Sequence, residues 1–349
     1  MTRTERPPGL DSARMPSIPW MSGPSTSGTP FEVRTTTWAC AVCGADDGRP
    51  YRTRMYAIGD RTFDLTRCRR CGLVYCNPRP DEGTLGRMYD DEEYYTHGYN
   101  LGVEDQNYFE RRDELVAEAE EEWAVIESEV GGRGAALELG SAGGFFLEGA
   151  RRRGWQVAGV ELSPPAARYS REELGLEVFE GWLADAPYEP GRFDVAVADN
   201  VLEHTTDPRE TLRQLRELVR PGGHVLVVVP SYVNSGIFRL LLAARRVLPR
   251  RLLGPELCSM LKFGDGDGGF PYHILEFDRP TLVRLVESAG LEVVSVEGSV
   301  PRPAHLFKRK DLSASERFLR TVFVVLDRLM KLRLAPAASL RLLARRPIS

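Results

Sequence analysis

The chain has 349 residues, 42% of them hydrophobic, and a net charge of -4; that is length for one large α/β domain with additions, or for two domains, each with a buried core. The acidic balance offers no global attraction to nucleic acid, and no apolar run approaches the ~20 residues that span a bilayer. Six cysteines in a chain of this length do not make a disulfide scaffold.

Residues 1–34, rich in Pro, Ser and Gly, read as a disordered tail without the continuous apolar segment of a secretory leader. A cytoplasmic protein is expected. Residues 35–80 hold two matched pairs, Cys40-Ala-Val-Cys43-Gly44 and Cys68-Arg-Arg-Cys71-Gly72, with 24 residues between them. CxxC brings two thiolates to one ion from a tight turn, and the trailing glycine tolerates the φ > 0 of that turn. Four sulfurs at about 2.3 Å form a closed structural zinc site; unrelated thiols, a redox pair and a rubredoxin-like iron site are the other readings. Cys76 and Cys258 read as buried apolar thiols. The alternation in YRTRMYAIGDRTFDLTR predicts a hairpin between the pairs.

Residues 81–130 form a turn-rich, tyrosine-rich connector and then a charged amphipathic helix, with Leu115, Ala119, Trp123 and Ile126 on the stripe that covers the next domain. From 131 to 349, strand and helix signals alternate. AALEL, QVAGVEL, LEVFEG, FDVAVADN and HVLVVVP read as strands; FFLEGARRRG, SPPAARYSREELG and TDPRETLRQLRELVRPGG read as the helices between them. Ser163 is an N-cap candidate with Pro164 at the first helical position, and Pro-Gly-Gly closes the last of these helices. TLVRLVESAG and LEVVSVEG add a helix and a sixth strand, and SLRLLARRP an antiparallel seventh. The pattern predicts an α/β fold, a Rossmann-like doubly wound seven-stranded sheet with a small N-terminal zinc ribbon. Ligands in such sheets sit at the carboxyl ends of the strands.

The loop at that end of the first strand is Leu139-Gly140-Ser141-Ala142-Gly143-Gly144. A dinucleotide fingerprint GxGxxG fails, because its positions fall on Gly140, Ala142 and Phe145. A P-loop needs Lys-Ser or Lys-Thr, and neither occurs. Glu161, about 20 residues past the loop, suits bidentate bonding to ribose hydroxyls. A nucleoside that carries an amino acid rather than a pyrophosphate fits this combination.

At these residues the chain resembles the class I S-adenosylmethionine-dependent methyltransferases, from about residue 110 to the C-terminus. LELGSAGG resembles their first motif, GVELS their ribose-binding segment, and FDVAVADNVLEHTTDP the fourth-strand motif, whose LEH recurs in small-molecule members. The resemblance implies S-adenosyl-L-methionine as donor. Gly140, Ser141, Ala142, Gly143 and Gly144 would approach its methionine moiety, Glu138 would contact the methionine end through backbone or water, and Glu161 would hold the ribose. Leu162 and Leu183 would wall the adenine, with Trp182, Asn200 and Val201 completing the donor contacts. The family commonly has an aspartate after the glycine that ends strand three; this chain has Gly181-Trp182-Leu183, and Asp185 is the nearest carboxylate able to substitute. CxxCG…CxxCG…NPRP resembles the zinc-ribbon-headed bacterial subgroup, several members of which act on sugars, lipids or secondary metabolites.

Methyl transfer to a hydroxyl needs alignment, exclusion of water and an acceptor for one proton. His204 and His273 are the candidate bases because a histidine titrates near neutrality, and Glu203 can hold His204. His97, His224 and His305 read as structural. Helical insertions are expected at about 234–262 and 300–335, the second opening with the capping box Ser313-Ala-Ser-Glu316 and carrying Leu319, Val322, Leu326 and Leu329 on one stripe. Each packs on its own domain or lies, as a basic amphipathic helix, on the inner membrane face. The expected function is O-methylation of a small metabolite, sugar or lipid-linked acceptor; C- or N-methylation is the alternative. The rival of another class is a nucleic-acid-binding protein that senses S-adenosylmethionine, against which stands a ribbon with only Arg67, Arg69 and Arg70 clustered.

Overall fold

The computed structural model describes residues 32–89, 108–231, 273–300, 311–312, 314–334 and 337–348, with the backbone alone at 89, 314–316 and 319. Most of the N-terminal tail, the first insertion, His97, Cys258 and His305 lie outside the described residues.

The ribbon begins with β1 (Thr35–Thr36), followed by the expected hairpin of β2 (Gly48–Ile58) and β3 (Arg61–Cys68), then β4 (Val74–Cys76) and β5 (Arg79–Pro80), which pairs back onto β1. Phe63 and Leu65 alternate inward along β3 and are buried, as half-covered strands require. The connector that reads as turn-rich contains a helix, α1 (Glu82–Tyr89). Asp81 caps it: its carboxylate accepts from the Thr84 amide at 2.8 Å and its carbonyl from Leu85 at 2.9 Å, which offsets the cost of two glycines in the helix.

The covering helix α2 (Arg112–Val130) buries Val116, Ala119, Trp123 and Ile126. It ends in a left-handed Gly131 and packs on α3 (Phe145–Arg152), where the Trp123 indole donates to the Phe146 carbonyl at 3.0 Å. The main sheet contains β6 (Ala135–Leu139), β7 (Gln156–Glu161), β8 (Glu177–Glu180), β9 (Phe193–Asp199), β10 (Val219–Pro230), β12 (Glu292–Ser299) and β13 (Ser339–Arg345). Its order is β12-β13-β10-β9-β6-β7-β8, with β13 antiparallel to both neighbours and every other recorded pairing in it parallel. Val195 to Ala198 are all buried, since helices cover both faces of the central strands. Those crossovers are α4 (Pro164–Glu172), α5 (Pro208–Leu218) and α6 (Arg279–Ser288).

Two expectations shift. α5 ends at Leu218, and Pro-Gly-Gly belongs to β10, where the register breaks between Val219 and His224. Arg346 clasps that break, accepting from Gly222 at 2.9 Å and donating to Gly223 at 2.8 Å. The second insertion does form a helix, α7 (Ala314–Lys331), but its buried side chains are Phe323, Asp327 and Met330, whereas Val322, Leu326 and Leu329 are half-buried. The inward stripe is rotated because Asp327, paired with Lys331 at 3.3 Å, takes an inner position.

The ribbon and the main domain share one core. β11 (Leu275–Glu276) follows the first insertion and pairs with β4 as the edge of the ribbon sheet. The Arg209 guanidinium donates to the Val42 carbonyl at 2.6 Å. Buried side chains run without interruption from Val42 and Leu65 to Leu202, Leu212 and Ile274.

Candidate functional site

The glycine loop lies between the end of β6 and α3. Gly140 has φ +73°, and a Cβ there would come within 2.7 Å of a Val201 methyl, so the bare backbone lets the segment after β9 close over the loop. Ala142 has φ +46°, a conformation that costs a non-glycine residue about 1–2 kcal/mol. It is held by two bonds: its amide donates to Glu161 Oε2 at 2.7 Å, and its carbonyl accepts from the Ser170 hydroxyl at 3.0 Å. Glu161 Oε1 accepts from the Ser163 amide at 2.7 Å. The carboxylate of Glu161 therefore ties the loop to the tip of β7. Ser163 precedes α4 as expected, although its hydroxyl makes no cap bond.

Glu138, on β6, is buried; burial first, then Asp199 and Glu161, hold its carboxyl well above the usual range. Asp199 stands exposed at the tip of β9, and its carboxyl is pushed up to about 7, by loss of hydration first and Glu122 second. Three acids around one loop repel each other, and a bound cation would relieve that cost. Glu138 Oε2 and the Ser141 hydroxyl are buried without hydrogen-bond partners. Orphaned acceptors, crowded carboxylates and a close-approach glycine fit a sulfonium amino acid attached to a nucleoside.

Of the residues expected to wall an adenine, Leu183 is buried and Leu162 half-buried, and Trp182 beside them is 57% exposed. Asp185 is exposed. Asn200, with φ +51°, donates from its amide to Asp199 Oδ1 at 2.7 Å, and Val201 seats against Gly140.

Directly after Val201, a short 3₁₀ turn carries Glu203 and His204. The His204 and His273 rings meet edge to face, centroids 4.9 Å apart. Glu203 is fully buried, with neither carboxylate oxygen hydrogen-bonded, and Oε1 lies 3.7 Å from His204 Nε2. Its carboxyl is held well above the usual range by burial first, with Asp199 and Glu276 adding to it. The Glu203 carbonyl accepts from the Ile274 amide at 2.9 Å, which brings His273 alongside. Burial first and His204 second push His273 down to about 3, so at neutral pH it is an uncharged imidazole. The donor atoms of Glu203, His204 and His273 lie within 4.8 Å of one another.

The four cysteines form one cluster. Cys40 and Cys71 sulfurs are 3.4 Å apart, Cys43 and Cys68 3.6 Å. Sulfurs at about 2.3 Å from a tetrahedral zinc would be about 3.8 Å apart, and a disulfide only about 2.05 Å; the set fits a metal knuckle. Cys76 is buried, as expected.

Several neighbours escape a reading of the sequence. Tyr108 packs against the place where a Gly143 side chain would be, and Ser170 reaches the loop from α4. Asp199 had a signal, a polar break at the end of an apolar run. Tyr56, whose hydroxyl donates to buried Glu276 at 3.4 Å across 220 residues, had none.

Residues 110–296, more than half of the chain, match the methyltransferase domain family. The ubiquinone biosynthesis O-methyltransferase of Azoarcus sp. (strain BH72) is 32% identical over 175 residues, covering 48% of this chain and 68% of that one. The protein of the same name in Alkalilimnicola ehrlichii is 38% identical over 177 residues, covering 48% and 64%. The chain thus spans about two thirds of the length of the relatives it matches. A solved structure, Haemonchus contortus phosphoethanolamine N-methyltransferase 2 with S-adenosyl-L-methionine, aligns over 78% of this chain and 63% of that one, at 14% identity and a TM-score of 0.45. Given the family match and the strand order, the chain belongs to the class I S-adenosylmethionine-dependent methyltransferases.

Proposed function

We propose that this enzyme methylates an oxygen of a small lipid-linked metabolite, with His204 accepting the acceptor's proton. The observation that carries this reading is the fully buried, unbonded Glu203 carboxylate 3.7 Å from His204, on the turn that closes over the glycine loop. Burial holds the Glu203 carboxyl neutral while His204 is uncharged; a positive charge developing on His204 would draw that carboxyl toward ionisation and be shared with it. His273, held down to about 3, is a poor base and serves to orient the acceptor. The names of the curated relatives, O-methyltransferases of ubiquinone biosynthesis, support oxygen as the methylated atom and a lipid-linked acceptor.

When bound, S-adenosylmethionine supplies a methyl group activated by a positive sulfur. Glu161 holds the ribose diol, the main chain of Gly140 to Gly144 lines the methionine end, and Glu138 and Asp199 face the positive charges. Leu162, Leu183 and Trp182 flank the adenine, and Asn200 and Val201 complete the pocket wall. Alignment of acceptor and donor within about 3–3.5 Å contributes much of the rate, and His204 takes the proton. Zinc at Cys40, Cys43, Cys68 and Cys71 would be structural, cross-linking the ribbon.

The test is labelled methyl transfer from S-adenosylmethionine, with products partitioned between organic solvent and water. Label in the organic phase, released from a methyl ether, is expected. Label on carbon or nitrogen would favour C- or N-methylation, and no transfer would sink the reading. His204→Gln should lower turnover about 10²–10⁴-fold while the donor dissociation constant stays put.

A further inference from the structure

Eight large apolar side chains stand exposed among the described residues, and four of them, Phe318 (71%), Val325 (50%), Leu332 (68%) and Leu334 (72%), lie in the span of α7 and the turn after it. Single exposed apolar residues need no explanation; a contiguous stripe does. Phe318, Val325 and Leu332 recur every seven residues, so they share one face, opposite the buried Phe323, Asp327 and Met330. By helical spacing Arg317 and Arg328 flank that stripe, Arg320 and Lys331 lie farther round on the same side, and Arg333 follows in the turn after the helix. From 314 to 334 there are five basic residues and two acidic ones (Glu316 and Asp327), a balance of +3 in a chain whose total is -4. One of the two acids is the buried Asp327, paired with Lys331.

Topology sets where this helix faces. β12 is antiparallel to β13, and β13 to β10, so β12 runs parallel to β10 and β6. α7 therefore departs from the carboxyl end of β12 and returns to the amino end of β13, where Ser339 pairs with both Ser299 and Pro230. This is the sheet edge that carries the glycine loop and His204.

We infer that α7 is a membrane-docking helix: its outer stripe enters the interface of an anionic lipid bilayer, and its arginines meet the headgroups. Charge complementarity selects this occupant. Two copies packed face to face would bring like-charged arginine rows together, whereas an anionic lipid surface attracts them and accepts the apolar stripe. Docking would turn the mouth of the site toward the bilayer. The inference goes beyond the proposed reaction and does not rest on it, since vesicle binding needs neither donor nor acceptor.

The test is co-sedimentation of the full-length protein with vesicles of phosphatidylcholine alone and of phosphatidylcholine mixed with phosphatidylglycerol, at low and high salt. Binding to the anionic vesicles at low salt is expected, weakened at high salt. The combined Phe318→Ser, Val325→Ser and Leu332→Ser variant should bind about tenfold less or worse, and Arg317→Gln with Arg328→Gln should lose the preference for anionic vesicles. An unchanged calorimetric affinity for S-adenosylhomocysteine shows that each variant is folded. Wild type remaining in the supernatant at low salt would overturn the inference, as would a serine variant that binds like wild type. So would a wild-type dimer in sedimentation velocity that the serine variant dissolves, because the occupant of the stripe would then be a second copy.

Discussion

Glu161 has two roles that one substitution removes together. Its carboxylate holds Ala142 in a left-handed conformation, and under the proposed reading it also grips the donor's ribose. Glu161→Ala should weaken S-adenosylmethionine binding by about 1.5–3 kcal/mol, the range for hydrogen bonds to a charged group. Calorimetry checks this, and an unchanged dissociation constant counts against the assignment. His273 makes a pH prediction. Held neutral in the fold down to about pH 3, it binds fewer protons below about pH 6.5 than the same histidine in the unfolded chain. Its contribution to stability is therefore complete above that point and lost as pH falls from about 6.5 toward 3. His273→Gln should flatten the decline of the denaturant midpoint in that window; an equally steep slope in the variant would mean that other groups set it.

At the scale of elements, the loop and the turn after β9 are one interlocked unit. Gly140→Ala meets two penalties, a left-handed backbone and a Cβ within 2.7 Å of Val201. A loss of about 1–3 kcal/mol in unfolding free energy is expected. Adding Val201→Ala should restore the steric part and leave the conformational part, so the double variant should be more stable than Gly140→Ala alone. If it is less stable, the two segments do not press on each other as the geometry says. Local signals serve well at this scale. Asp207 accepts from the Glu210 amide at 3.0 Å, and Asp278 forms a full capping box with Thr281; both are the kind of start that propensity and spacing announce. α7 shows where such reading stops. Helical periodicity marks its extent, but which side turns inward depends on what β12 and the turn before β13 offer it, and there an acidic side chain took an inner place.

For the whole molecule, the continuity of the core across the ribbon is decisive. β11 comes from the methyltransferase half and pairs with ribbon strand β4, and Tyr56 of the ribbon reaches Glu276 beside Glu203. If the cysteine knuckle holds the zinc proposed for it, removing that ion with a chelator should therefore lower the melting temperature in one transition and abolish methyl transfer in step with it. Two separate transitions, with activity surviving the first, would show that the ribbon is only an appendage.

Much of this protein was legible without coordinates. The alternation of strands and helices, the paired cysteines and the glycine loop with its trailing acid are short-range patterns, and backbone geometry acts at short range. The seven-stranded sheet and the thiol cluster answer to them. What folding alone decided is how distant segments meet. His204 and His273 touch because a main-chain bond from Ile274 to Glu203 closes a long excursion, and Tyr56 meets Glu276 because a ribbon strand accepts a partner from the other domain. Such contacts arise from the burial of shared apolar surface, which is non-directional and leaves no periodic trace in the residues that it brings together.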